Sequence, residues 1–209
     1  MFANFTSQRI DTGEVEINLR SGGSGEPLLL LHGYPQTHVI WHRVAPMLAA
    51  HFTVITPDLR GYGASGKPLG GDAGEHYAKR VMAADQVKVM RALGHDSFYL
   101  AGHDRGARVA YRLTLDHPQC VRKLATLDVV PTLEQFETMG KSGSFGSYHW
   151  YFLAQPAPFP EELIGRDPDY FCRHMIDSIC GTPGAITDEA MNVYLQAFRD
   201  PQTIRATCD

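Results

Sequence analysis

Gly102-His103-Asp104-Arg105-Gly106 sets an acidic side chain between two glycines. A segment that reads as a strand, Ser97 to Ala101, precedes it, and one that reads as a helix, residues 105–116, follows. Small residues flanking a central side chain at a strand-to-helix turn form the pattern of a nucleophile elbow. The turn forces unfavourable backbone angles on the central residue, and the glycines let strand and helix approach closely. The plain alternative is that Asp104 only N-caps the following helix. The flanking glycines and the upstream His32-Gly33-Tyr34-Pro35 favour the elbow. Backbone N–H groups just after a buried strand can point at an oxyanion formed at the elbow. In such sites the residue after the nucleophile, here Arg105, supplies a second backbone N–H.

Two other patterns invite chemistry and fail on context. Gly61-Tyr62-Gly63-Ala64-Ser65-Gly66 matches G-x-G-x-x-G, and Gly61 to Lys67 nearly matches a phosphate-binding loop. Pro68 stands where the magnesium-holding hydroxyl would be, and the glycines do not open a helix directly. His38 and His42 lie four apart on an expected helix, but no third ligand is evident, so two histidines on a partly exposed helix is the preferred reading. No metal and no cofactor is expected.

The elements that must position the elbow follow from the hydrophobic pattern. The chain has 209 residues, enough for one domain or one with an appendage, and at 44% hydrophobic and 20% charged it can bury a core. A net charge of −4 argues against nucleic acid as a partner. The N-terminus lacks an apolar signal stretch, and the longest aliphatic run, Leu28 to Leu31, is too short to span a bilayer. Four cysteines without a C-x-x-C pair read as reduced thiols of a cytoplasmic protein. Segments near 3–10 and 14–20 read as a hairpin around Asp11-Thr12-Gly13. From Leu28 onward strands and helices alternate: a strand at 28–31, a helix at 39–50, a strand at 52–56, a helix at 77–93, then the elbow strand and helix, and a strand at 123–129. Such alternation predicts an open parallel sheet flanked by helices. After Pro131 no strand is expected. Helical pieces near 132–139, 144–153, 168–179 and 187–198, separated by loops at PAPFPEE and GTPG, read as a helical unit over the sheet.

HGYP, DLRGYGAS (58–65), GHDRGAR (102–108) and YHWYFLAQPAPFPEELIG (148–165) together resemble the haloacetate dehalogenases of the α/β-hydrolase fold, fluoroacetate-acting ones included. The resemblance covers essentially the whole chain. It implies an α/β-hydrolase core over residues 1–131 and a helical cap over 132–209. It also implies a mechanism. Asp104 attacks the α-carbon of a small anionic 2-haloacid and expels halide, leaving an ester on its own side chain; substitution at saturated carbon needs a nucleophile but no proton removal. Water then attacks the ester carbonyl, with the backbone N–H groups of Tyr34 and Arg105 holding the oxyanion. The Arg105 and Arg108 side chains clamp the substrate carboxylate, and His149 and Trp150 donate to the leaving halide. Asp128 matches the acid that orients the catalytic histidine. Each role has a plainer alternative: an ordinary surface pair for Arg108, cap core for Trp150, a strand-end cap for Asp128. Relatives of this kind are often dimers, so a homodimer is a further expectation.

The general base has no match. In this fold the order is nucleophile, acid, then histidine. Beyond Asp104 lie only His117, His149 and His174. His117 stands about 18 Å from Asp104 at ~1.5 Å per helical residue, and the other two belong to the helical segment. The expectation is therefore a chain truncated before the last strands and the base, able to be alkylated once but not to turn over, with the strand at 123–129 left as an apolar edge prone to aggregation. Two other functions compete. Tyr148 and Tyr151 would suit an epoxide hydrolase with the same ester chemistry. A chain without its histidine could also be a non-catalytic binding module.

Overall fold

The computed structural model describes residues 1–209. A six-stranded sheet runs in the order β1-β2-β4-β3-β5-β6. The strands are β1 (Thr6–Asp11), β2 (Glu16–Gly22), β3 (Glu26–Leu31), β4 (Phe52–Pro57), β5 (Phe98–His103) and β6 (Val121–Leu127). The hairpin β1–β2 is antiparallel and joins the sheet antiparallel to β4; β4, β3, β5 and β6 run parallel to one another. Leu29, Leu30 and Leu31 of β3 are fully buried, as a central strand covered on both faces requires. From β3 the chain passes to β4 on one side and later to β5 on the other. This reversal opens a crevice at the carboxyl ends of β3 and β5, where ligands bind in open α/β sheets. Leu31 pairs with Gly102, so the loop after β3 and the elbow after β5 leave the sheet side by side.

The helices are α1 (Ala45–Leu48), α2 (Lys79–Ala92), α3 (Arg105–Asp116), α4 (Thr132–Thr138), α5 (Lys141–Gly146), α6 (Tyr148–Leu153), α7 (Phe159–Arg166), α8 (Pro168–Ile179), α9 (Asp188–Phe198) and α10 (Pro201–Cys208). α2 packs on α3, and α3 lies along β5 and β6. One hydrophobic cluster joins Leu29 and Ile55 of the sheet to Met175, Tyr194 and Phe198 of the later helices, so both parts of the chain share a core. No helix is long and apolar enough to cross a membrane.

The alternation, the elbow strand and helix, and the absence of strands after Pro131 match the sequence-based expectation. Four details differ. The helix expected over 39–50 is a 3-10 turn at His38–Trp41 followed by the four-residue α1, because Pro46 cannot supply the backbone donor a continuous helix needs. The piece at 144–153 is two helices, α5 and α6, separated at Ser147. PAPFPEE is not all loop: Pro160 sits in the first turn of α7, where its missing N–H costs nothing, and Glu161 and Glu162 complement the helix dipole. α10 was not anticipated; Asp200 caps it, accepting from Gln202 N–H at 2.9 Å, and Pro201 opens it. β6 pairs only with β5, and Leu124 and Leu127 on it are exposed.

Candidate active site

The elbow begins with close packing. A Cβ on Gly102 would lie 2.5 Å from the carbonyl oxygen of Gly106, and one on Gly106 would lie 2.5 Å from that of Leu31. Only glycine allows α3 to start this near the sheet. Asp104 is thereby held at φ +48°, ψ −118°, a backbone region side-chain-bearing residues seldom enter. Its N–H donates to Leu127 O at 3.2 Å, and its carbonyl accepts from Arg108 N–H at 3.1 Å. The side chain accepts no hydrogen bond from the helix it precedes. Instead Tyr34 N–H donates to Asp104 Oδ2 at 2.8 Å. The Arg105 N–H, the other expected donor, makes no bond to this carboxylate.

The loop that brings Tyr34 there is pinned by a buried histidine. His32 uses both ring nitrogens: Nδ1 bonds the Gly33 carbonyl at 2.9 Å, and Nε2 accepts from Leu59 N–H at 3.0 Å. An accepting Nε2 requires the neutral ring, and burial lowers the pKa of His32 accordingly. A Cβ on Gly33 would come within 2.8 Å of Asp104 Cβ, so this glycine is needed for the approach.

A cavity of about 300 Å³ opens over Asp104, and Arg105, Arg108, His149 and Trp150 line it, as does Tyr34. The Arg105 Cζ lies 4.7 Å from the centre of the Tyr34 ring, and Nη1 donates to Tyr62 Oη at 2.7 Å. Burial opposes its charge, but the Tyr62 and Tyr34 hydroxyls and Asp104 outweigh that and raise its pKa. Arg108 is 7% exposed, so it is no surface pair; it stacks on Trp150 at 4.2 Å and donates to Thr132 Oγ1 at 2.7 Å. Desolvation lowers its pKa. His149 stacks on Tyr34 with ring centres 5.9 Å apart, and its buried Nδ1 has no partner. Burial, then Arg105, lowers its pKa. Phe136 meets Trp150 edge-on at 5.4 Å.

Asp128 is not brought to this cavity. It follows β6 with φ +51°, its side chain is 90% exposed, and its Oδ2 lies 4.0 Å from His103 Nε2. Tyr148 and Tyr151 also stand outside the cavity lining; their hydroxyls contact the sulfurs of Met175 and Met139.

Several lining residues carried no sequence signal of their own. Tyr62 lies in the GYGASG stretch, which is a turn folded around Asp58 rather than a nucleotide loop. Asp58 accepts from His38 N–H and Ala64 N–H and pairs with His38 Nδ1 at 2.8 Å. Tyr62 reaches Arg105 because that turn leaves β4 at the same end of the sheet. His42 bonds the Val39 carbonyl, so the two histidines have separate partners. Lys79, Thr132 and Thr207 also face the cavity.

Asp104 in a strained turn, a backbone donor on its carboxylate and a lined crevice at the reversal of strand order together define an α/β hydrolase. Residues 26–169 match the model of the alpha/beta hydrolase fold family, and the chain belongs to that family. It is 47% identical over its full length to a fluoroacetate dehalogenase from Burkholderia sp, covering 69% of that protein, a likeness that supports the haloacetate dehalogenase family. It is 34% identical over 90% of its length to a soluble epoxide hydrolase from Corynebacterium sp. (strain C12), covering 65% of that protein. A solved structure of a candidate α/β hydrolase from Nostoc sp PCC 7120 superposes with a TM-score of 0.98 at 50% identity, over all of this chain and 72% of the other.

Proposed function

We propose that this chain carries the nucleophile, carboxylate clamp and halide donors of a hydrolytic haloacetate dehalogenase. The observation behind this reading is the shared cavity: Asp104, two arginines, His149 and Trp150 all face it. The guanidiniums of Arg105 and Arg108 bind the carboxylate of a 2-haloacid, each charge-assisted bond contributing about 1.5–3 kcal/mol, and so hold the α-carbon near Asp104. Tyr34 N–H occupies Oδ2, which leaves Oδ1 to attack. The new C–O bond forms as the carbon–halogen bond breaks, and the halide leaves with the bonding pair. The free Nδ1 of His149 and the indole N–H of Trp150 stabilise that developing charge.

Oδ2 becomes the ester carbonyl oxygen, already beside the Tyr34 donor. Water adding at Cγ places negative charge on Oδ2, and collapse returns the carboxylate and glycolate. The attacking water must lose a proton. Within these 209 residues His149 faces the cavity without a carboxylate behind it, and His103, which has Asp128 behind it, does not line the cavity. Neither histidine thus combines a place on the cavity with a carboxylate partner. The helices from residue 132 onward act as the cap, supplying Thr132, His149 and Trp150.

Epoxide opening by the same carboxylate would leave an alkoxide that needs a tyrosine donor. Tyr148 and Tyr151, the expected ones, are turned to methionines. Two guanidiniums also favour an anion over a neutral epoxide.

Mass spectrometry after incubation with chloroacetate tests the reading. A carboxymethyl ester is expected on Asp104 and on no other residue, with none in Asp104→Asn. An unmodified Asp104, or the same adduct in the variant, overturns it.

A further inference from the structure

Lys79 opens α2 and lines the cavity beside Asp104, Arg105 and Arg108. Its ammonium contacts only the Tyr77 carbonyl, at 3.3 Å, and the Met82 sulfur, at 3.6 Å. No carboxylate lies within ion-pair reach of it. Asp209, the other acid on the cavity wall, is engaged by Arg205 at 3.7 Å. Three cationic side chains thus face one free carboxylate, that of Asp104. The cost of this arrangement is visible in Lys79, whose pKa burial and then the two guanidiniums lower to about 7. The first turn of α2 adds the positive end of a 14-residue helix, which disfavours a cation there. A monoanionic haloacid would leave one positive charge uncompensated. A dianion would neutralise the cavity, and about 300 Å³ exceeds what a two-carbon acid needs.

We propose that Lys79 is a second anion subsite, taking the distal carboxylate of a four-carbon 2-halo dicarboxylate whose first carboxylate is held by Arg105 and Arg108. This rests on the assignment of the arginine clamp and of Asp104 as nucleophile. The α-carbon then stands at Asp104 with the second carboxylate directed toward the start of α2. Lys79 is a specificity-determining residue: it touches substrate without entering the bond changes, which remain C–O formation at Asp104 and halide departure.

Calorimetric titration of the chain with succinate and with propionate, neither of which can react, reads the subsite apart from the chemistry. Succinate is expected to bind at least tenfold more tightly. That ratio should fall to about one in Lys79→Met and be kept in Lys79→Arg. Equal binding of the two acids by the unmodified chain overturns the proposal. So does a preference that survives Lys79→Met, or one lost equally in Lys79→Arg. In parallel, 2-chlorosuccinate should esterify Asp104 faster than 2-chloropropionate does. Should succinate be preferred while no haloacid modifies Asp104, the nucleophile assignment fails and the anion subsite stands.

Discussion

The backbone N–H of Tyr34 lies 2.8 Å from Oδ2 of Asp104, so one carboxylate oxygen is held before any substrate arrives and the other is left to react. Holding one oxygen fixes the direction of attack. Asp104→Glu moves the carboxylate by one methylene and breaks this relation. Misplacing a reacting group by about 1 Å can cost on the order of 100-fold. Esterification by chloroacetate, followed by intact-mass measurement over time, should slow by at least that factor in Asp104→Glu and vanish in Asp104→Asn.

Arg108 is held by two unlike contacts, the Trp150 face at 4.2 Å and Thr132 Oγ1 at 2.7 Å. A guanidinium can stack and donate at once; an ammonium cannot do both in the same plane. Arg108→Lys keeps the charge yet should raise the haloacetate concentration for half-maximal esterification about 10-fold, and Arg108→Ala about 100-fold, in line with ~1.5–3 kcal/mol for a charge-assisted bond. Measuring the rate against chloroacetate concentration separates weaker binding from slower chemistry. Equal behaviour of Arg108→Lys and the parent would show that charge alone matters here.

The elbow was legible because its geometry is written in small residues that nothing else explains. Gly102 and Gly106 stand where a Cβ would strike backbone, and Asp104 has the positive φ that the turn demands. The parallel sheet flanked by helices followed from the alternation of short apolar runs with longer amphipathic ones; the order of its strands did not. The partners of the arginines were not legible. Tyr62 sits 43 residues before Arg105, and their hydroxyl–guanidinium bond arises only because the loops after β4 and β5 leave the sheet at the same end. Asp128 shows the opposite case: its place at the end of a strand is visible in sequence, but its turning to solvent rather than to the cavity is not.

Gly106 should tolerate no side chain. A Cβ there would meet the Leu31 carbonyl, and backbone cannot give way as a flexible side chain can. Relieving the clash means lifting α3 from β3, and overpacking of this kind costs ~1–3 kcal/mol. Gly106→Ala should lower the urea midpoint with an unchanged m-value. An unchanged midpoint would mean that α3 starts farther from the sheet than the 2.5 Å approach to the Leu31 carbonyl implies.

Lys79 makes stability depend on pH in a defined direction. Burial lowers its pKa from 10.5 in the unfolded chain to about 7 in the folded one. Between those values the unfolded state binds the extra proton, so stability rises with pH across that window. Below about pH 7 both states carry the charge and the full burial penalty applies. Lys79→Met should therefore raise the melting temperature at pH 6, by roughly 2–4 °C for each kcal/mol relieved. The gain should shrink steadily above pH 7 and disappear near pH 10.5. A gain of equal size at both ends would point to packing rather than charge.

Halide release should stop at one equivalent per chain. Ester formation needs Asp104, the clamp and the halide donors, all of which face one cavity. Ester hydrolysis needs a base for water. His149 is there, but its pKa is lowered by burial and Arg105, and no carboxylate supports the imidazolium that proton removal would create. A base unable to hold its proton gains little from being close. Ion-selective measurement with fluoroacetate or chloroacetate should show a single burst equal to the protein concentration, followed by a plateau. Hydroxylamine, which attacks the ester carbonyl itself, should release glycolate and leave Asp104 as a hydroxamate, with no second burst. Sustained release without hydroxylamine would place a working base among these residues, with His149→Gln the variant that identifies it.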